Sequence, residues 1–341
     1  MRIEEYDPAT DAAKVTAWYR LYAETEPVDA PGGPVRSQHA FCAAMRLGWA
    51  GIARETVLAA GNDGGWDGGY VLALPETENR HLAWLTLLVA PGRRRAGLGT
   101  ALLRDAAARA AARGRVALTG ETRTGLAGSA FAAATGARPG LVEVRRVLEL
   151  AGLPAAKLAS LRAQAEAAAE GYSLVCWQGP TPEEYLEQTV AVANAMADAP
   201  RNPGEEPETE DAGRVRHYER SAAEQGLHVY SVAARSGRSG ELTALTVLTV
   251  DPRNPSWGSQ QLTAVSRAHR GHRLGMLIKS AMLEWLASAE PALRRIWTGN
   301  AGTNRHMIAI NEELGFRVLD EWQSWELDVA PGRPAPPAPG P

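Results

Sequence analysis

The sequence predicts two consecutive α/β modules, each a mixed, mostly antiparallel sheet flanked by helices. Three observations predict this. A unit of apolar strand, basic glycine-bearing loop and helix occurs twice, at 87–103 and at 263–279. Strand and helix patterns recur on both sides of each unit. The triplet Asp29-Ala30-Pro31 precedes the first unit, and Asp198-Ala199-Pro200 precedes the second.

The repeat sets the expected boundaries. Residues 1–150 form the N-terminal module, closed by an alternating strand at 142–150. An Ala-rich stretch, 151–170, reads as a linker helix. The C-terminal module spans 171–330 and opens with a strand at 172–177. Thr181-Pro182-Glu183-Glu184 is a helix start, with proline early and acids in the first turn. Strands follow at 228–234 and 242–250, joined by a Ser/Gly-rich turn. A strand at 260–266 feeds the second loop and a helix at 274–288. After a short strand at 295–298, a helix at 303–314 stops at Gly315, and strands at 316–319 and 325–329 end the sheet. The tail, 331–341, is rich in Pro, Gly and Ala and reads as disordered.

Bulk properties exclude several classes. The 341 residues are long enough for two cores. They are 45% hydrophobic and 22% charged, with a net charge of −3. A pI near 6.2 argues against nucleic acid as a partner. No apolar run approaches the ~20 residues of a membrane span, and the acidic start, Met1 to Asp7, lacks a signal core. Cys42 and Cys176 suggest neither a disulfide framework nor a metal site. A cytoplasmic location without membrane or metal is expected, and nothing in the sequence fixes an oligomeric state.

The repeated unit is a candidate anion cradle. The unpaired N–H groups at a helix N-terminus, with the helix dipole, favour negative charge. In the first cradle the candidates are Val89, Arg94, Arg95, Ala96, Gly97, Leu98, Gly99 and Thr100. In the second they are Val265, Arg270, Gly271, His272, Arg273, Leu274 and Gly275. The bland alternative is a solvated basic turn joining strand to helix. The two cradles differ at one position, where Gly97 faces Arg273. If that position needs a positive φ, Arg273 is strained. If not, it adds a charge for phosphate.

Arg94-Arg95-Ala96-Gly97-Leu98-Gly99, between a strand and a helix, resembles motif A of the GNAT acetyltransferase superfamily. Asn304 to Phe316, ending Leu314-Gly315-Phe316, looks like the family's distal helix, and 129–137 is a decayed counterpart. The resemblance covers nearly the whole chain as two modules, an arrangement similar to tandem GNAT proteins such as mycothiol synthase. It implies that the loop binds the pyrophosphate of acetyl-CoA, a co-substrate. It also implies that a backbone N–H near the strand end, around Val89 or Val265, polarises the thioester. Relatives often place a tyrosine acid four residues before the Leu-Gly-Phe glycine; here those positions hold Asn311 and Ala132. Asn304 and Asn311 are candidates for the pantetheine amides, with a helix N-cap as the equal alternative for Asn304.

Acyl transfer to an amine needs a deprotonated nucleophile and an oxyanion donor. Asp198 is the candidate group for the acceptor amine, with the acidic run at 205–211 behind it. Such a run is more often solvated. If it faces the cleft, it attracts a cationic acceptor such as an amino sugar, a polyamine or a basic peptide. The expected function is acetyl transfer from acetyl-CoA to a primary amine of a small molecule, by direct attack in a ternary complex. The competing class is a CoA-binding sensor or scaffold without turnover in one or both halves. The C-terminal half is favoured as catalytic for its fuller distal helix and acidic loop.

Overall fold

The computed structural model describes residues 2–61 and 64–329; the expected tail lies outside them. The chain divides into two units, and both are mixed α/β with mostly antiparallel sheets, as the sequence predicts.

Unit 1 takes the chain up to Glu143, the short segment 201–206, and the described residues from Asp320 on. It begins with β1 (Arg2–Tyr6), α1 (Ala12–Asp29) and α2 (Gln38–Leu47). The antiparallel ladder β2 (Ile52–Ala60), β3 (Trp66–Pro75) and β4 (Leu82–Val89) follows. Helix α3 (Leu98–Ala112), strand β5 (Ala117–Arg123) and helix α4 (Ala127–Ala134) complete the module's own elements. The β3 and β2 sequences bury long apolar runs, and Tyr70, Leu72, Val57 and Ala59 pack under Leu102, Ala106 and Ala110 of α3. Trp18 and Leu21 of α1 fill the other face with Leu58 and Val71. Each such leucine contributes about 1.5–3 kcal/mol by burial.

Unit 2 takes 144–200 and 207–319. Strand β6 (Arg138–Glu149) enters it from Val144, and α5 (Ala155–Ala168) is the expected Ala-rich helix. Then come β7 (Tyr172–Gln178), α6 (Glu183–Ala193) and α7 (Ala212–Glu224). The ladder β8 (His228–Ser236), β9 (Leu242–Val250) and β10 (Trp257–Val265) leads to α8 (Leu274–Ala289). It ends with β11 (Arg295–Ala301) and α9 (Arg305–Leu314), and the chain leaves it along β12 (Arg317–Asp328), which belongs to unit 1 from Asp320 on. Helix α8 is buried almost all round by Leu161, Tyr230, Leu248, Ile296 and Leu314.

The expectation of two contiguous modules, 1–150 and 171–330, needs one correction. The last strands are exchanged. Strand order is β1-β2-β3-β4-β5-β12 in unit 1 and β6-β11-β10-β9-β8-β7 in unit 2. The C-terminal strand thus pairs antiparallel with β5, from Trp322 opposite Arg123 to Asp328 opposite Ala117. Alternation reveals that a strand exists but not which edge accepts it. The two short strands expected at 316–319 and 325–329 are also one continuous strand.

The same wedge lies in both sheets. In unit 1, β4 and β5 pair in parallel for three residues, 82–84 with 117–119, and then part. In unit 2, β10 and β11 do so at 257–259 with 295–297.

Candidate active site

Each wedge is headed by a cradle, and the two cradles share one backbone. The strand ends at Val89 or Val265 and a single turn follows, at Pro91–Arg93 or Arg267–His269. Two residues then take the left-handed conformation, and the helix begins. In the first cradle these are Arg95 (φ 65°) and Gly97 (φ 84°); in the second they are Gly271 (φ 90°) and Arg273 (φ 51°). Each cradle therefore holds one glycine and one arginine, in opposite order. The position opposite Gly97 does need a positive φ, so Arg273 carries the strain, and Arg95 carries it in the first cradle. The helix ladders start alike, with Ala101 N–H on Gly97 O and Leu277 N–H on Arg273 O.

Side-chain caps divide the helix starts, and α4, α5 and α6 lack one as the cradle helices do. Asp11, Ser37, Asp211 and Asn304 cap α1, α2, α7 and α9 with side-chain oxygens. Neither α3 nor α8 has a side-chain cap. Their first-turn N–H groups, from Leu98 to Thr100 and from Leu274 on, suit an anion. Gly99 and Gly275 serve another purpose. A Cβ at Gly99 would lie 3.4 Å from Phe131 of α4, and one at Gly275 would lie 2.9 Å from Ile310 of α9. They let the distal helices pack closely. Ala96 and His272 stand exposed at the loop tips, and the His272 ring lies 5.5 Å from that of Tyr172, whose hydroxyl bonds His269 Nδ1 at 2.8 Å.

The duplicated aspartates explain themselves in the same geometry. Arg94 grips Asp29 with two bonds of 2.8 Å and donates from Nε to Val89 O at 3.0 Å. Arg270 grips Asp198 at 2.7 and 3.2 Å and donates to Val265 O at 3.3 Å. The guanidinium beside Asp198 holds its carboxyl below the usual carboxylate range. Arg94 and Arg270 thus brace the strand ends, and Asp198 is an ion-pair partner rather than an unengaged base. The expected contact of Asp198 with the acceptor amine would compete with this pair. The acidic run is likewise engaged within unit 1 and at helix α7. Glu206 accepts from Asn79 N at 2.7 Å, Glu205 accepts from Asn202, and Asp211 caps α7.

The asparagines divide. Asn304 is the N-cap of α9, accepting from Met307 N at 3.3 Å, the alternative that the sequence offered for it. Asn311 is fully buried. Its Nδ2 donates to Asn300 Oδ1 at 2.9 Å, and its Oδ1 has no partner among the described residues.

The wedges differ most below the cradles. Strand β4 pairs with β3 in unbroken register from 84 to 89. Strand β10 has a bulge against β9 between Gln260 and Leu262. A bulge leaves one residue's main chain without its ladder partner, and here that residue is Gln261. Sequence reasoning missed it, although the adjacent polar pair Gln260-Gln261 interrupts the strand alternation. It also missed Lys279, a single charge inside the apolar run 274–283 of α8. Lys279 is 2% exposed, and its Nζ donates to Gln260 Oε1 at 3.3 Å.

The acetyltransferase (GNAT) family profile matches residues 15–129. No curated protein matches the chain by sequence. Among solved structures, a tandem GNAT protein from the clavulanic acid biosynthesis pathway is similar at 28% identity and a TM-score of 0.80. That match covers 97% of this chain and all of the other. A GCN5-related N-acetyltransferase from Sphaerobacter thermophilus is 16% identical, with a TM-score of 0.66 and 97% of each chain covered. A glucosamine N-acetyltransferase region of a fungal multi-domain β-N-acetylglucosaminidase is 13% identical, with a TM-score of 0.64. It covers 96% of this chain and 38% of that one. No helix among the described residues is long and apolar enough to cross a membrane. Residues 15–129 thus carry a domain of the GNAT acetyltransferase family, and the chain as a whole has the two-module fold of a tandem GNAT protein.

Proposed function

We propose that the chain transfers an acetyl group from acetyl-CoA to a primary amine of a small molecule, by direct attack in a ternary complex in unit 2. The observation that carries this reading is the β10 bulge beneath an uncapped helix start. The pyrophosphate sits on the first-turn N–H groups of α8, from Leu274 to Met276, and in unit 1 the exposed Arg95 offers its charge at the tip of the first loop. An extended pantetheine arm is about as long as four or five strand residues at ~3.3 Å each. Measured back from Val265, that brings the thioester level with Gln261. The main-chain N–H at the bulge is therefore a better oxyanion donor than Val265, and Val89 has no such counterpart. A donor of this kind is worth about 10²–10³ in rate.

Unit 1 favours the second reading, a CoA-binding module without turnover. Its cradle has the same backbone, but β4 runs straight past the place where a bulge would lie. A panel of primary amines, scored by thiol release from acetyl-CoA, tests the proposal. Turnover should be lost when Gly271→Val disrupts the second cradle, where φ is 90°, and be kept when Gly97→Val disrupts the first, where φ is 84°. Calorimetric binding of CoA without release for any amine would leave the sensor reading in both units.

A further inference from the structure

Lys279 is an ammonium buried in the interior of unit 2, with no carboxylate paired to it among the described residues. Among the described residues its contacts are Gln260 Oε1 and the face of the Phe316 ring, with Nζ 5.1 Å from the centroid. The elements packed against α8 offer no carboxylate to it. On α5 the charged groups are Lys157, Arg162 and Glu166; on β8, His228 and Arg235; on α9, Arg305, His306, Glu312 and Glu313. Strands β9 and β10 carry none. Arg162 is bound to Glu166 and Glu284, His228 to Glu290, and Glu313 to Arg273. An ammonium buried in this way is costly, and burial alone pushes Lys279 down to about 7.

The fold does not require a lysine there. Lys279 is five residues into α8, and the matching position of α3 is Leu103. Gln260 is the first residue after the paired stretch of its wedge, and its match is Leu85. Leu85 and Leu103 both pack against the unit 1 core. Unit 2 thus has a polar pair where unit 1 has an apolar one, in the same framework.

The polar pair leads to the bulge. Gln260 Nε2 donates to Leu262 O at 3.2 Å, to Val247 O at 2.7 Å and to Thr246 Oγ1 at 2.9 Å. Lys279 Nζ is therefore two hydrogen bonds from the main chain of Leu262. Phe316 links the same ammonium to the other arm of the wedge: its N–H donates to Asn311 O, and Asn311 holds Asn300 of β11. Neither Asn311 nor Ala132 can supply a proton as an acid.

We propose that Lys279 is the proton donor to the leaving CoA thiolate in unit 2. The inference rests on the acyl-transfer reading above. The acceptor nitrogen attacks the thioester carbon, and the tetrahedral adduct collapses with cleavage of the C–S bond. The electron pair goes to sulfur, and Nζ–H passes its proton there, giving free CoA and a neutral lysine. The acceptor nitrogen sheds one proton to water, and Lys279 regains one from water that enters the cleft as the products leave. A thiol with pKa near ~8.5 accepts a proton readily from an ammonium that titrates below it.

The test uses the full chain and two measurements. In calorimetry at pH 7, wild type should bind CoA about tenfold more tightly than desulfo-CoA, through the Nζ–sulfur hydrogen bond. Lys279→Met, and the unit 1-like pair Gln260→Leu with Lys279→Leu, should bring that ratio to about one. In thiol release with the best amine of the panel, Lys279→Met should lower kcat about 10²-fold or more and leave KM for acetyl-CoA within about twofold. The wild-type limb in which kcat falls above pH ~7 should vanish, and an acetyl thioester of a more acidic thiol should restore much of the rate. An unchanged CoA to desulfo-CoA ratio in the variants overturns the proposal. So does a wild-type kcat that rises through pH 7, which marks Lys279 as a base. CoA that fails to bind at all overturns the acyl-transfer reading itself, and with it this proposal.

Discussion

The two wedges of this chain share their entrance and differ in their depth. At the entrance, each helix starts without a side-chain cap, each cradle has two left-handed residues, and each strand end is tied by an arginine to an aspartate. Glycine and arginine have traded places between the two left-handed positions, and the backbone is unchanged. Lower down, straight β4 corresponds to bulged β10, and Leu85 and Leu103 correspond to Gln260 and Lys279. The comparison teaches that a cradle of this shape can be kept by backbone geometry alone. In the proposed reaction, the difference in reactivity would rest on a few side chains and one extra residue at the far end of the same cleft.

The largest effect that tests this contrast is removal of the extra residue. Deleting Gln261 should restore a regular β9–β10 ladder and lower thiol release about 10²–10³-fold, with CoA affinity little changed. Full activity in that variant would mean that the bulge is not where the oxyanion is held, and the distinction between the wedges would fail.

A second test measures what unit 2 gives up for its buried amine. Lys279 titrates at about 7 in the fold and at 10.5 when free. Between these values the unfolded chain binds the extra proton, so stability rises with pH there. The cost of the lysine is full below pH 7 and fades towards 10.5. Lys279→Met should therefore stabilise the protein by on the order of 4 kcal/mol at pH 6. The melting temperature should rise by roughly 10 °C, and the gain should disappear above pH 10. A destabilised variant would show that the amine supports the fold.

The smallest effect concerns the traded residues. A non-glycine residue in the left-handed region costs about 1–2 kcal/mol. Arg95→Gly should stabilise unit 1 by about 1 kcal/mol. Arg273→Gly should yield less, because it also removes the half-exposed pair with Glu313 at 2.6 Å, worth up to ~1 kcal/mol. Chemical denaturation midpoints read both. Equal gains would show that the Glu313 pair contributes nothing.

The entrance was legible in the sequence because it is local. Strand, loop and helix follow one another within seventeen residues, and the repeat doubles the signal. The two Asp-Ala-Pro triplets were visible as well, but their role was not. Asp29 meets Arg94 and Asp198 meets Arg270 across 65 and 72 residues, a distance over which periodicity carries no information. The same limit hid the exchange of β6 and β12. Lys279 was written plainly in the sequence as one charge in an apolar helix. Its meaning depended on Gln260, and Gln260 depended on a bulge that only strand pairing reveals.

The exchanged strands also set a timetable. Unit 1 begins the chain, yet its sheet lacks β12 until residues 320–328 are made. At about 5–20 residues per second, the ribosome reaches Asp328 roughly 10 to 40 s after finishing β5. During that interval β5 presents an open edge, the kind of surface that invites pairing with another chain. The unit that is synthesised first is completed last. A release of the chain a few residues early would leave its N-terminal half, rather than its C-terminal half, with the unpaired strand.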